Sequence, residues 1–329
     1  MLRRFVWALA LVCGGLTTLT AAPGPAVTDP AKAGPDYAIQ GEYLGTSDGK
    51  PTGAQVIALG KDEYDIVVYD DGLPGEGWKR GDRKMSVKGK LVDGKFDGTM
   101  KDGQKTITFK FTSEALEIDG QGKAMTLKKY VRTSPTLGAK PPEGAVVLFD
   151  GKSKDEFKGG SLTDDGVLQT NPGGSLVSKK EFTDFTIHLE FKTPYMPEAR
   201  GQGRGNSGLY LQNRYELQIL DSFGLDGADN ECGGFYQASK PAVNMCLPPL
   251  TWQTYDIDFT GAKFDDKGEK TADAVVTVKH NGVTIHDALK FKKVTPGGVG
   301  KEAPGRGPFQ IQDHGNPVQL RNIWVVEKK

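Results

Sequence analysis

Between Tyr37 and Arg132 the dipeptide Asp-Gly recurs at 71–72, 93–94, 97–98, 102–103 and 119–120, each time beside short runs of alternating apolar and polar residues. Asp-Gly between alternating runs is a strong hairpin signal, because the tight two-residue turn needs positive φ at both central positions. The runs QVIALG, YDIVVYDDG, KMSVKGKLVDGKFDGTM, KTITFKF, ALEIDGQG and AMTLKKYVR therefore predict a small antiparallel β domain over residues 36–132. Long runs of helical period are absent, and 44 glycines supply turns, so the chain is expected to be all-β. Trp78, in GLPGEGW, is expected to pack beside an exposed turn.

Residues 133–144 form a Pro/Gly-rich linker, and a second domain is expected over residues 145–329. Its strand-like runs include VLQT, GSLVSKKEF, FTIHLEFK, SGLYLQN, YELQILDS, WQTYDIDFT, PFQIQDHG and VQLRNIWVVE, with KHNGVTIHD a hairpin on Asn281-Gly282. That many short strands suit a two-sheet jelly-roll sandwich, and 329 residues suffice for two domains.

At the N-terminus, Arg3 and Arg4 precede an uncharged stretch from Phe5 to Leu19, followed by small residues. This predicts a signal peptide over residues 1–22, cut near Ala21 or Ala22, and an exported protein, periplasmic or extracellular. A Pro/Ala/Gly linker is expected at 23–35, with no membrane span after signal removal. Cys13 follows Val12, where a lipoprotein signal needs a small residue. In an exported chain the remaining pair, Cys232 and Cys246, reads as a disulfide. It would close a loop of about 15 residues, worth about 3 kcal/mol in the chain-entropy picture. The surrounding 225–250 segment is too long for a simple hairpin loop and reads as a lid or specificity wall. With 42 basic and 42 acidic residues, nothing points to nucleic acid or a membrane surface as partner.

Alternate residues of a strand share a face. Tyr215, Leu217 and Ile219 are thus expected to face a core, with Glu216 and Gln218 opposite. Asp221 joins Glu216 only if the strand bulges. Leu209 and Leu211 likewise oppose Tyr210 and Gln212, and Gln310, Gln312 and His314 share a stripe. His188, Glu190 and Lys192 are a mixed-charge trio read as a solvent-washed face. Glu216 and Gln218 read instead as a site, since amides and carboxylates beside rings suit sugar hydroxyls and pyranose faces. The candidate rings are Tyr195, Tyr210, Phe235, Tyr236 and Trp252. No cofactor is expected. A divalent cation finds no support, because Asp265, Asp266 and Glu269 lack EF-hand spacing and read as a hairpin turn.

Glu216-x-Gln218-x-x-Asp221 resembles the E-x-D-x-x-E strand of laminarinase-like glycosidases, with Gln in place of the middle Asp and a shorter last carboxylate. Ordinary double displacement, which needs paired carboxylates about 5–5.5 Å apart, fits this poorly. The segments GNSGLYLQNRYELQILDS, CGGFYQASKPAVNMCLPPLTWQTYDIDF and IQDHGNPVQLRNIWV closely resemble the 3-keto-disaccharide hydrolase domain family, over roughly Gly144 to Glu327. The resemblance implies a concanavalin A-like jelly roll, an oligosaccharide or 3-keto-glycoside ligand, and occurrence in exported proteins. A ketone at C3 acidifies the C2 proton, so a base can drive loss of the C1 oxygen, and water completes net hydrolysis. Such chemistry needs a base, an acid and a donor to the C3 oxyanion. Glu216 is assigned as base or acid and His314 as its proton-transfer partner. Gln218, Asn206, Arg200 and Arg204 are assigned as donors, with Gln312, Tyr236 and Trp252 as substrate contacts. Asp221 is placed among the substrate contacts, with holding the nearby loop or binding a cation as its alternative, and Arg321 either reaches the site or forms an ion pair. The alternative is a non-catalytic, lectin-like carbohydrate-binding module.

Overall fold

A computed structural model of the chain describes residues 24–92, 95–102, 105–120, 124–299 and 301–328. The expected signal peptide, Cys13 and the turns at Asp93-Gly94 and Gly103 lie outside the described residues.

The N-terminal part is one nine-stranded antiparallel sheet. Its central strands, Glu63–Asp70, Lys50–Gly60, Gly41–Ser47 and Ala124–Tyr130, are neighbours in that order. Alternation puts Val56, Ala58, Ile66 and Val68 into a core with Phe109, Phe111 and Leu127. Phe96, near one edge of the sheet, packs edge-on against Phe109 and at a tilt against Phe111 near the other, at 6.0 and 5.4 Å between ring centroids. The sheet is therefore curled until its two ends meet over shared aromatics.

The C-terminal part is a sandwich of an eight-stranded and a five-stranded sheet. In the smaller sheet the order is Phe157–Lys158, Leu176–Phe182, Gly307–Ile311, Ser207–Leu211, Tyr215–Ile219. The alternation of the sequence holds here. Leu209, Leu211, Tyr215, Leu217, Ile219, Phe309 and Ile311 all join the core between the sheets. From the larger sheet come Ile187, Leu189 and Phe191, with Tyr255, Ile257 and Val278 beside them on neighbouring strands. The Asn281-Gly282 hairpin forms as its sequence predicts, with φ of 49° and 80° and His280 paired to Val283.

The two parts are not beads on a string. Ile57, Val67 and Tyr69 of the first sheet, with Leu73 and Trp78 of the small two-stranded sheet that follows its third strand in sequence, belong to the same apolar cluster as the sandwich core. Conversely, Tyr195 and Leu250 of the second part pack into the first sheet's core. Gly224 lets Ile57 come so close that a Cβ there would lie 2.4 Å from its Cδ1. Within the segment expected as a linker at 23–35, Val27 is docked, pairing with Tyr195 through backbone bonds of 3.0 and 2.8 Å.

Three expectations are corrected by the packing. Residues 133–139 are not a free spacer but a strap over the outer face of the eight-stranded sheet. Ser134 Oγ bonds Thr254 at 2.6 Å, Thr136 Oγ1 donates to Asp256 at 2.7 Å, and the Gly138 N–H donates to Glu190 at 2.6 Å. Consequently His188 and Glu190 are not washed by solvent; both are buried. Finally, Cys232 and Cys246 are free, buried thiols rather than a disulfide. The 225–250 segment is ordered by other means. The Asn244 amide donates to the Ser222 and Leu225 carbonyls at 2.8 and 3.0 Å, and Cys232 N–H donates to Ser222 Oγ at 3.1 Å. The Cys246 thiol is pushed up by its hydrogen bond with Cys232 and by burial, which keeps it protonated.

Candidate active site

On the outer face of the five-stranded sheet the polar residues of three adjacent strands meet. Tyr210 lies opposite Glu216 and Gly208 opposite Gln218 in register, with Gln310 beside Tyr210. The strand Tyr215–Ile219 is an edge of that sheet in strand order, but the 225–250 segment covers it. Tyr236 N–H donates to the Glu216 carbonyl at 3.0 Å, and the Gln218 N–H donates to Gly234 at 2.8 Å. The expected wall is thus built as backbone pairing along the site strand, placing half-buried Tyr236 beside Glu216.

Glu216 is only 4% exposed. Its carboxylate lies across Gly208, where a Cβ would come within 2.4 Å of Oε1. A Cβ on Gly297 would meet Oε2 at 3.5 Å and the Tyr210 hydroxyl at 3.1 Å. Two glycines therefore leave the space this side chain fills. Burial pushes Glu216 up to about 7, partly offset by the hydrogen bond from Tyr210. The Gln312 amide donates to the Tyr210 hydroxyl at 3.1 Å, so Gln312, Tyr210 and Glu216 form one chain of bonds. A carboxyl poised near neutrality can accept a proton in one step and return it in the next.

Beside this carboxyl lies an amide cluster. The Gln218 amide donates to Gln202 Oε1 at 2.9 Å and leans on the Asn230 carbonyl at 3.4 Å. The Asn206 amide donates to the Gln202 carbonyl at 2.7 Å. Because backbone carbonyls can only accept, these contacts fix which amide atoms are nitrogens. The opposite atoms, Gln218 Oε1 and Asn206 Oδ1, are then buried acceptors with no donor. Such atoms are costly unless a donor arrives, and sugar hydroxyls are donors.

The structure sorts the sequence candidates. Glu216, Gln218, Asn206, Gln312 and Tyr236 share this face. His314 lies exposed in the turn two residues beyond Gln312 and makes no hydrogen bond or ion pair among the described residues. Arg200, Arg204 and Asp221 do not reach Glu216. The strand ends at Ile219, and Asp221 turns away to form a buried 2.6 Å ion pair with Arg204 Nε. Arg204 and Arg200 donate to the Ala58 and Leu59 carbonyls of the first sheet. Trp252 sits on the other sheet, with Arg321 and Lys192 over its ring at 4.1 and 5.0 Å. Arg321 is an ion-pair residue, 2.7 Å from Glu190. Of the other rings, Phe235 and Tyr195 are core. The 265–269 stretch is a hairpin turn, capped by Asp265 Oδ1 on the N–H groups of Lys267 and Glu269.

Tyr210, Gln202 and Asn230 were not singled out as site donors or acceptors by sequence reasoning. The available signal was Tyr210's place in register with Glu216, one hairpin away.

A crystal structure of a "putative glycosyl hydrolase" from Parabacteroides distasonis is 33% identical to this chain, with a TM-score of 0.52, covering 57% of this chain and 85% of its own. A second protein so described from the same bacterium is 21% identical with a TM-score of 0.40, covering 56% and 99%. No curated protein sequence matches. The sandwich shares the β fold of the first of these structures, and the nine-stranded sheet precedes the matched family region. From residue 144 to residue 326 the chain matches the 3-keto-alpha-glucoside-1,2-lyase-like domain, and it belongs to that family.

Proposed function

We propose that the protein cleaves 3-keto-glycosides by removing the C2 proton and eliminating the C1 substituent, followed by hydration. The observation that carries this reading is Glu216: buried, hydrogen-bonded by Tyr210, and poised near 7 beside amide oxygens that lack donors. In the first step the carboxylate takes the proton from C2, and the electron pair is delocalised onto the C3 oxygen. The C1–O bond then breaks, its electron pair leaving with the aglycone oxygen, which takes up a proton. That leaves a 2-hydroxy-3-keto-glucal. Water next bonds its oxygen to C1 and gives up one proton to the group that protonated the aglycone, while the now-protonated Glu216 returns a proton to C2, so the sum is hydrolysis. One carboxyl serves as base and then as acid, which fits a strand where Gln218 replaces a second carboxylate. His314, in the exposed turn beyond Gln312, is assigned the proton for the leaving oxygen. Gln218 and Asn206 orient sugar hydroxyls through their free oxygens.

The test is incubation of the purified protein with 3-keto-trehalose or 3-keto-sucrose, following 3-keto-glucose and the glucal by NMR. Glu216→Gln should lose turnover by at least about a hundredfold, the scale of a general acid–base group. Full activity in that variant would overturn the assignment. Saturable binding by the wild type without product would instead support the lectin-like reading.

A further inference from the structure

We infer that the junction between the two parts holds a second ligand site, for a carboxylate, formed by Arg200 and Arg204 on the sandwich and Lys88 on the first sheet. This inference is independent of the chemistry at Glu216. A cavity of about 120 Å³ lies where the two parts meet, lined by these three cations, by Asp65 and Asp221, and by the apolar Phe223. It is larger than a single water needs.

Two observations point to an anion. The Arg204 guanidinium is 5% exposed and its Nη2 has no acceptor, although Nε is held by Asp221 and Nη1 by the Ala58 carbonyl. A buried guanidinium nitrogen without a partner is expensive, and arginine presents its donors in a fork that fits a carboxylate. Second, the two guanidiniums are close enough to repel. Burial, and then Arg204, hold Arg200 below the ordinary arginine value. Glu63 and Glu198 lie near Arg200, but Glu198 is already paired with Lys61 at 3.1 Å. Against three cations the lining offers two carboxylates, of which Asp221 is committed to Arg204. Asp65 accepts from Ser86 at 2.6 Å and lies 3.9 Å from Lys88. A single added carboxylate would balance the lining and complete the Arg204 fork. Because Ile57, Leu59, Asp65 and Lys88 come from the first sheet, the site gives that sheet a role in ligand binding.

The carboxylate source is either a small free acid or a sugar acid, and the experiment separates them. The full chain is titrated with sodium acetate and with D-glucuronate, against sodium chloride and glucose at matched ionic strength, reading Tm and binding heat. A saturable Tm rise with acetate supports a site for a free carboxylate. A rise with glucuronate alone supports the same site with its carboxylate carried on a sugar. Arg200 is exposed, so Arg200→Gln should fold and weaken binding at least tenfold. Lys88→Gln, at the solvent side, should weaken it less. No saturable response to either acid, or undiminished binding in both variants, overturns the inference.

Discussion

At the scale of single residues, Glu216 determines what the outer face of the small sheet can do. Its carboxyl is raised to about 7, above the unfolded value of about 4.3. A group raised in this way contributes its stability below the unfolded value and loses it as pH rises through the folded one. Glu216→Gln, which cannot ionise, should therefore be the more stable protein at pH 8, by about 1–3 kcal/mol. The difference should vanish below about pH 4, where the wild-type carboxyl is neutral in both states. Urea unfolding at the two pH values checks the sign. Tyr210→Phe removes the hydrogen bond that lowers Glu216, so the inflection in the pH–rate profile should move upward while the fold survives. An unmoved inflection would show that Tyr210 does not tune the carboxyl. The Glu216–Gln218 face was legible from alternation, since Tyr215, Leu217 and Ile219 could only face a core. Tyr210 was harder to read, because an aromatic residue in an apolar run looks like packing. Arg204 and Asp221 misled for a related reason. Both sit near Glu216 in sequence, but the strand ends between Glu216 and Asp221, and what lies beyond an end depends on distant partners.

At the scale of elements, the strap over residues 133–139 is the main departure from the sequence reading. Pro and Gly mark where regular structure stops, but say nothing about whether the chain then docks. Here Ser134, Thr136 and Gly138 find partners on the larger sheet, and these partners form a buried ionic cluster. His188 Nδ1 lies 2.6 Å from Asp256, while Glu190 accepts from Arg321 at 2.7 Å and Asn322 at 2.9 Å. Burial raises Glu190, but hydrogen bonds from His188, Asn322, Gly138 and Arg321 outweigh it and bring the carboxyl down to about 2. Removing one partner of such a buried cluster leaves the others uncompensated, so Glu190→Ala should destabilise by about 3–5 kcal/mol. Burial works against the His188 cation, yet Asp256 and Glu190 hold its value above the ordinary one. That stabilisation is present below the unfolded value of about 6.5 and is lost as pH rises through the folded value. Hydrogen exchange at the Gly138 amide should therefore lose protection toward alkaline pH by more than base catalysis of exchange explains. Protection that simply tracks that chemistry would uncouple the strap from His188.

At the scale of the whole molecule, two domains were legible as compositions but not as one folding unit. Alternating runs mark the first sheet and the family motifs mark the sandwich, but not every Asp-Gly is a hairpin: Asp97-Gly98 joins strands at opposite edges of the sheet, and Asp71-Gly72 leads out of it. No local pattern announces that Tyr69, Leu73 and Trp78 serve the sandwich core, because core membership is decided by which surfaces meet. Trp78 is 7% exposed and packs edge-on against Tyr69, with ring centroids 5.2 Å apart. Trp78→Ala should cost about 3–5 kcal/mol, as for other large-to-small core changes. It should lower a single calorimetric transition rather than split it in two; a separate, unshifted transition for the sandwich would contradict the shared core.

The strap has one more consequence, for protease digestion. Just beyond it the stretch from Lys140 to Gly144 is exposed throughout, and Lys140 is followed by Pro141. A cut in that stretch would sever the chain without separating its halves, since the strap remains clasped to the far sheet and the common core stays closed. The digest would show two bands on a denaturing gel and one species in solution.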